Sequence, residues 1–141
     1  MRLGLELLPR ELADRHCHTW YAQPVLSVST ASRPPELPSI TLPAHEILEG
    51  IPDARGQFTA ESADGNCTAG FWACDVGRYE FVFDYDEFIY LIEGEVTVTQ
   101  TGSDRTWTLR PGDTAHFPQG VTTVWQITRR MTKYFVARAP Y

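Results

Sequence analysis

The stretch DYDEFIYLIEGEVTVT, residues 84–99, decides the fold. Aromatic and β-branched residues alternate with other residues before and after Gly94, which is typical of two antiparallel strands joined by a short turn. We therefore predict a β-hairpin with Gly94 in its turn. Because alternate residues of a strand share a face, Glu87 is expected to point inward together with Ile89 and Leu91.

Glu87 is the residue that this arrangement must explain, because an inward carboxylate is costly unless another group satisfies it. In one interpretation, Glu87 lies near the start of its strand, where it is partly solvated or hydrogen-bonded to a tyrosine or a backbone amide. In the other, it is a buried carboxylate that binds a cationic or hydroxylated ligand, or acts as a general acid or base. Burial would then raise its pKa, whereas a cation such as Lys133 would lower it.

The rest of the chain after residue 44 is also typical of β-structure. Short apolar segments are separated by glycine, proline and aspartate turns at roughly 8–12-residue intervals, a pattern found in sandwiches and barrels. The predicted strands are 68–73, 79–83, 87–92, 95–101, 106–109, 114–117, 121–127 and 132–138.

Residues 1–44 form an irregular segment that we predict to be a partly extended arm. Three prolines fall between Pro34 and Pro38, which favours an extended connector. We divide the chain into this arm and a β domain over residues 45–141. Edge strands of such a domain need cover, so the arm and a homodimer interface are expected to supply it.

Length and charge restrict the class of protein. A chain of 141 residues has room for one domain with one core. The net charge of −6 excludes the basic surface that nucleic-acid binding needs. No apolar run reaches the roughly 18 residues of a membrane span. Residues 1–10 make a poor signal peptide and the three cysteines show no C-x-x-C spacing, so we expect a cytoplasmic protein with reduced thiols.

Two spacings resemble the sequence motifs of the cupin superfamily. Glu87 is followed by six residues and Gly94, and Gly112 is followed by five residues, Pro118, one residue and Gly120. The segments 70–74 and 91–96 are similar to those of single-domain cupins related to the ethanolamine-utilisation cupins and to ureidoglycine aminohydrolase. The resemblance implies an all-β double-stranded β-helix, or jelly roll, for residues 45–141.

The resemblance also implies where a metal site would lie. In metal-binding cupins a His-x-His pair precedes the glutamate, and the second motif supplies another histidine. The corresponding positions here hold Phe81 and Phe83, or Glu80 and Val82 in the other permitted spacing, and Thr123 for the third histidine. Because a transition metal needs three or four nitrogen, oxygen or sulfur ligands, we predict no metal and no other cofactor. His16 and His18 could share a strand face, but they lie outside both motifs.

Aromatic residues and one histidine complete the set of candidates for ligand binding. Aromatic side chains that face inward would form either a plain core or the walls of a small-molecule pocket. His116 is either partly exposed or faces Glu87 as a base near neutral pH. The candidate ligand-binding residues are Glu87, Phe81, Phe83, Trp72, His116, Thr123, Trp125 and Tyr134, and the catalytic candidates are Glu87 and His116.

The basic residues after the second motif allow two interpretations. Arg129, Arg130 and Lys133 are expected in a solvated hairpin turn. Similar cupins, however, carry a basic residue at the Lys133 position, where it can pair with a carboxylate.

Three functions are compatible with this pattern. The first is a metal-free cupin that binds a small polar metabolite in its barrel, anchored by Glu87. The second is an enzyme acting on an amine- or ureido-containing metabolite, by analogy with ureidoglycine aminohydrolase, whose reaction needs manganese. The third is a structural or regulatory cupin with a filled barrel. Jelly rolls host many chemistries, so the fold does not choose among the three.

Overall fold

A computed structural model describes residues 36–139 of the chain. Most of the predicted arm, including His16 and His18, lies outside the described residues, so the division at residue 44 stays a prediction. The described part consists of nine strands and one short 3-10 helix, Ala44–Glu46. No helix in this range is long and apolar enough to cross a membrane.

The strands are all paired antiparallel. They are β1 (Ser39–Ile40), β2 (Ile47–Glu49), β3 (Ala54–Glu61), β4 (Cys67–Cys74), β5 (Gly77–Val82), β6 (Asp86–Gln100), β7 (Thr106–Leu109), β8 (Thr114–Phe117) and β9 (Thr122–Arg138).

Two long strands, β6 and β9, pair along their whole length and take part in both layers of the molecule. Sheet one contains β1, β3, β4, the C-terminal half of β9, the N-terminal half of β6, and β8. Sheet two contains β2, β5, the N-terminal half of β9, the C-terminal half of β6, and β7. The predicted all-β jelly roll is confirmed.

The predicted hairpin around Gly94 is wrong, because β6 continues through it. Its register with β9 shifts between Leu91 and Val96, and Gly94 has a φ of +90°. The glycine therefore allows an irregularity in the strand rather than a reversal. The predicted break around Arg129 is wrong for the same reason: β6 and β9 satisfy each other's backbone groups on both sides of it, so neither strand needs to turn back.

The main core lies between the two sheets and is rich in aromatic rings. Its large fully buried side chains include Trp72 on β4, Phe81 on β5, Leu91 on β6 and Trp125 on β9. A smaller cluster of Leu37, Phe71 and Ala73 lies on the outer face of sheet one, with Ile92 and Tyr134 packed against it. Strands of sheet one therefore bury residues on both faces.

Candidate functional site

A buried ion pair lies between the sheets. Glu87 points inward from β6 with Ile89 and Leu91, and only 1% of its surface is exposed. Lys133, on the inward face of β9, is 2% exposed and donates a hydrogen bond to Glu87 Oε1. The prediction of a solvated Lys133 is therefore wrong, and the alternative pairing with a carboxylate is the one that the structure contains.

Aromatic rings surround the Lys133 ammonium. Its Nζ atom lies 5.2 Å from the ring centroid of Trp72, 5.0 Å from that of Trp125 and 5.9 Å from that of Phe135. The negative faces of such rings attract a cation, most strongly where water is excluded. The rings and Glu87 thus compensate together for the lost hydration of this buried lysine.

Two polar atoms beside the pair have no hydrogen-bond partner among the described residues. They are Glu87 Oε2 and Trp72 Nε1, and both are buried. An unpaired buried donor or acceptor costs about 1–3 kcal/mol, so native proteins seldom leave one unfilled. The two atoms therefore have unused hydrogen-bonding capacity beside the ion pair.

Tyr85 adds a hydroxyl near this carboxylate. Burial raises the pKa of Tyr85 well above its usual value, and the charge of Glu87, with a weak hydrogen bond to it, adds to the rise. No hydrogen bond of standard geometry reaches Glu87 Oε2. Tyr85 therefore keeps its proton at neutral pH, and its hydroxyl interacts with the Glu87 carboxylate.

Bulky side chains fill the positions where metal-binding cupins carry histidines. Phe81 packs edge-on against Trp125 with 5.3 Å between ring centroids. Phe83 stacks on Phe117 at 4.7 Å. The Thr123 hydroxyl donates to the Phe81 carbonyl and accepts from Trp125 Nε1, so it is already engaged.

These side chains do not fit a metal ion. Within residues 36–139, no three His, Cys, Asp or Glu side chains converge. The one carboxylate at the expected place, Glu87, already binds an ammonium group, and a cation would have to displace Lys133. Glu87 therefore offers a single oxygen ligand at this place. A structural or catalytic metal ion needs at least three protein ligands.

A cavity of about 250 Å³ lies beside the ion pair. Its walls include Phe58, Trp72, Tyr85, Phe135 and Ala137. The exposed residues Gln57 and Asn66 also border it. Trp72 and Tyr85 therefore separate the Glu87–Lys133 pair from a largely apolar space.

Trp72 forms part of the cavity wall, and its indole nitrogen is buried without a hydrogen-bond partner among the described residues. A Cβ atom added at Gly56, a cavity residue, would lie 3.3 Å from Trp72 Cδ1, the ring carbon bonded to Nε1. Ile40 Cδ1 would lie 2.5 Å from the same added Cβ, so the side chains of Ile40 and Trp72 fill the space beside Gly56.

Two predicted site residues lie outside the barrel. His116 is on the outer face of sheet one, where its side chain is 48% exposed and stacks on Phe88 at 4.3 Å. It does not face Glu87, so it cannot act as the acid or base partner of Glu87. Tyr134 also points outward and packs edge-on against Phe71 at 5.2 Å.

Sequence reasoning missed most of the cavity wall, including Tyr85, Phe135 and Ala137. Strand alternation could have indicated that each of these three residues points inward. Tyr85 lies two residues before Glu87, and Phe135 and Ala137 follow Lys133 at intervals of two. Once Lys133 is known to point inward, the same face of β9 must carry the other two.

Cys74 should resist alkylation in the folded protein. It is fully buried, and burial raises the pKa of its thiol to about 11, so almost no thiolate is present at pH 8. We expect iodoacetamide at pH 8 to label the half-buried Cys67 at least about tenfold faster than Cys74, and both at similar rates in urea. Mass spectrometry of the peptides measures both rates, and equal labelling in the folded state would contradict the burial of Cys74.

The jelly roll, the paired motifs and the buried glutamate at the start of β6 define the class of the protein, a cupin domain. The sequence profile described as the EutQ-like cupin domain matches residues 61–135, and the chain belongs to this family. A search among curated proteins gave no match.

Solved structures share this fold at low sequence identity. Ethanolamine utilization protein Q of Salmonella typhimurium is 23% identical, with 63% of this chain and 72% of that chain covered and a TM-score of 0.55. EutQ of Clostridium difficile is 13% identical, with coverages of 71% and 81% and a TM-score of 0.55. A DUF861-family protein of unknown function from Pseudomonas syringae is 21% identical, with 72% of this chain but only 43% of that chain covered and a TM-score of 0.65.

Proposed function

We propose that this cupin binds a small, neutral, oxygen-bearing metabolite in the cavity beside the Glu87–Lys133 pair, without a metal ion. The observation that carries the proposal is that Trp72, a residue of the cavity wall, has a buried N–H without a partner among the described residues. A ligand oxygen that accepts this hydrogen bond would remove the cost of leaving the donor unfilled.

The charges around the cavity favour a neutral ligand over a cationic one. Glu87 was expected to anchor a polar or cationic metabolite, but its charge is already balanced by Lys133. Trp72 offers an unpaired donor, whereas the Tyr85 hydroxyl interacts with Glu87. Carbonyl, hydroxyl and ether oxygens accept from such donors, and the apolar walls suit the carbon skeleton of the ligand.

The size of the cavity favours a small metabolite. Ligand pockets commonly measure about 300–1,000 Å³, and this cavity is about 250 Å³. A molecule of a few carbon atoms with one or two oxygens is therefore the class to screen, before larger or charged compounds.

Filling the cavity should abolish binding. A thermal-shift screen of small alcohols, amides and lactones should give a hit with the native chain, and Ala137→Leu should remove that hit. Ala115→Leu is the matched control, because Ala115 also faces inward beside β6 but borders a different cavity of about 320 Å³ between β7 and β8. A hit that survives Ala137→Leu and disappears with Ala115→Leu would place the ligand in the other cavity.

Removing the indole donor tests the hydrogen bond itself. Trp72→Phe keeps an aromatic ring but loses the N–H, so the affinity for the same compound should fall by about 5–30-fold, the value of one hydrogen bond of 1–2 kcal/mol. Isothermal titration calorimetry measures the change. An unchanged affinity in Trp72→Phe would contradict the assigned contact.

A structural or regulatory cupin with a filled barrel is the second candidate. The observation in its favour is the continuous ring packing of Phe81, Phe83, Phe117 and Trp125 where other cupins bind a metal. Absence of any hit in the screen, with Ala137→Leu raising the thermal stability by filling empty space, would favour this candidate over ligand binding. The manganese-dependent reaction on amine or ureido compounds gains no support from the residues present.

A further inference from the structure

The outer face of sheet one carries large aromatic side chains in contact with solvent. Phe88 and Tyr90 are adjacent outward residues of β6, and they are 48% and 49% exposed. Phe88 lies flat on the ring of His116 from β8, with 5° between the ring planes. No residue within 36–139 covers this patch, which we call the outer aromatic patch (Phe88, Tyr90 and His116).

The strip of the same face next to the patch is already covered by the N-terminal end of the described chain. Leu37 is 6% exposed and packs on Phe71 and Ala73 of β4, with Tyr134 of β9 packed against them. The chain therefore reaches the outer face of sheet one at its first described residues. The preceding 35 residues are thus joined to the described chain at this face.

The distance from Leu37 to the patch is short. In the strand register Phe71 pairs with Tyr134, Tyr134 with Tyr90, and Tyr90 with Thr114. Three strand spacings of about 4.8 Å amount to about 14 Å, which about five extended residues can span. Several residues upstream of Leu37 are thus enough to cross the sheet.

The sequence just upstream has the chemistry to cover an aromatic surface. Residues 26–29, LSVS, alternate apolar and small polar side chains, and Pro34 and Pro35 favour an extended connection to Glu36. Residues 25–35 contain one arginine, Arg33, and no acidic residue, so no carboxylate has to leave water when this segment covers aromatic rings.

We propose that residues 25–35 of this chain dock across the outer face of sheet one and cover the outer aromatic patch. Burying the exposed halves of Phe88 and Tyr90 supplies the driving force, since apolar surface leaves water. The arm then shields β8, which among the strands of residues 36–139 pairs with β6 alone.

Hydrogen exchange on the full chain tests this docking. The backbone amides of residues 25–33 should exchange at least about tenfold more slowly than in an unstructured peptide of the same sequence. Tyr90→Asp should restore fast exchange there, as should Phe88→Asp in a second variant, while exchange in β4 and β9 stays unchanged. Leu48→Asp is the matched control, because Leu48 is 46% exposed on β2 in sheet two, and it should leave residues 25–33 protected.

The dependence of this protection on protein concentration shows whether the same chain or a second copy covers the outer aromatic patch. Protection that stays constant on tenfold dilution supports docking within one chain. Three results would overturn the proposal: fast exchange of residues 25–33 in the native chain, protection that survives both aspartate variants, or protection lost on dilution together with dissociation of a dimer. The last result would assign the patch to a second copy of the chain, and sedimentation velocity would detect that dimer.

Discussion

Replacing Lys133 by methionine is expected to lower the free energy of unfolding by about 3–5 kcal/mol. The change leaves the Glu87 carboxylate buried, at 1% exposure, without its ammonium partner. The methionine keeps most of the volume of the side chain but also loses the attraction of the cation to Trp72 and Trp125. Since domains of this size are stable by about 5–15 kcal/mol, the loss should be plain in urea denaturation.

The double variant Glu87→Leu/Lys133→Met is the control for this prediction. With both charges gone, no buried charge is left unpaired, and stability should return to within about 1 kcal/mol of the native chain. The single variant Glu87→Leu should lower the free energy of unfolding as much as Lys133→Met, because it leaves the Lys133 ammonium buried without its carboxylate partner. A cost below about 1 kcal/mol for Lys133→Met would show that another group balances Glu87.

Gly94→Ala is expected to lower the free energy of unfolding by about 3 kcal/mol or more. Two costs add. The φ of +90° disfavours any residue with a side chain. The new Cβ would also meet the carbonyl of Arg130 and lie 2.6 Å from Met131 Cα, so the backbone of β9 would have to move.

Gly102→Ala separates these two costs. Gly102 has a similar φ of +81°, but nothing lies within 4 Å of its added Cβ. This variant should therefore cost only about 1 kcal/mol, the conformational part alone. Equal losses for the two alanine variants, measured as urea midpoints, would contradict the close approach of β6 and β9 at Gly94.

The motif spacings were enough to predict the jelly roll. Glu87 with Gly94, and Gly112 with Pro118 and Gly120, indicated the cupin class before any strand pairing was known. Strand alternation also gave the inward direction of Glu87, because Ile89 and Leu91 share its face.

The hairpin prediction failed because a glycine with positive φ serves both a turn and an irregularity inside a strand. Local sequence does not distinguish them; the choice depends on whether a partner continues past the glycine, and here β9 does. Tyr134 was assigned to the barrel for a related reason. β9 carries apolar residues on both faces, so its alternation alone does not show which face points inward.

The wrong prediction for His116 shows that alternation in a short strand does not establish which face each side chain is on. β8 has four residues, too few for alternation to settle the face of each side chain. Only the packing of Phe117 against Phe83 inside the barrel turns His116 outward onto Phe88. The role proposed for it as a base followed from the wrong face.

Residue types at fixed spacings along the chain are enough to predict the class of the domain, the inward glutamate and the phenylalanines at the metal-ligand positions. The pairing of Lys133 with Glu87, the unpaired N–H of Trp72 in a cavity wall, and the outward direction of His116 and Tyr134 became visible in the folded chain. These features arise between strands that are distant in sequence, where register and packing rather than local pattern decide which groups meet.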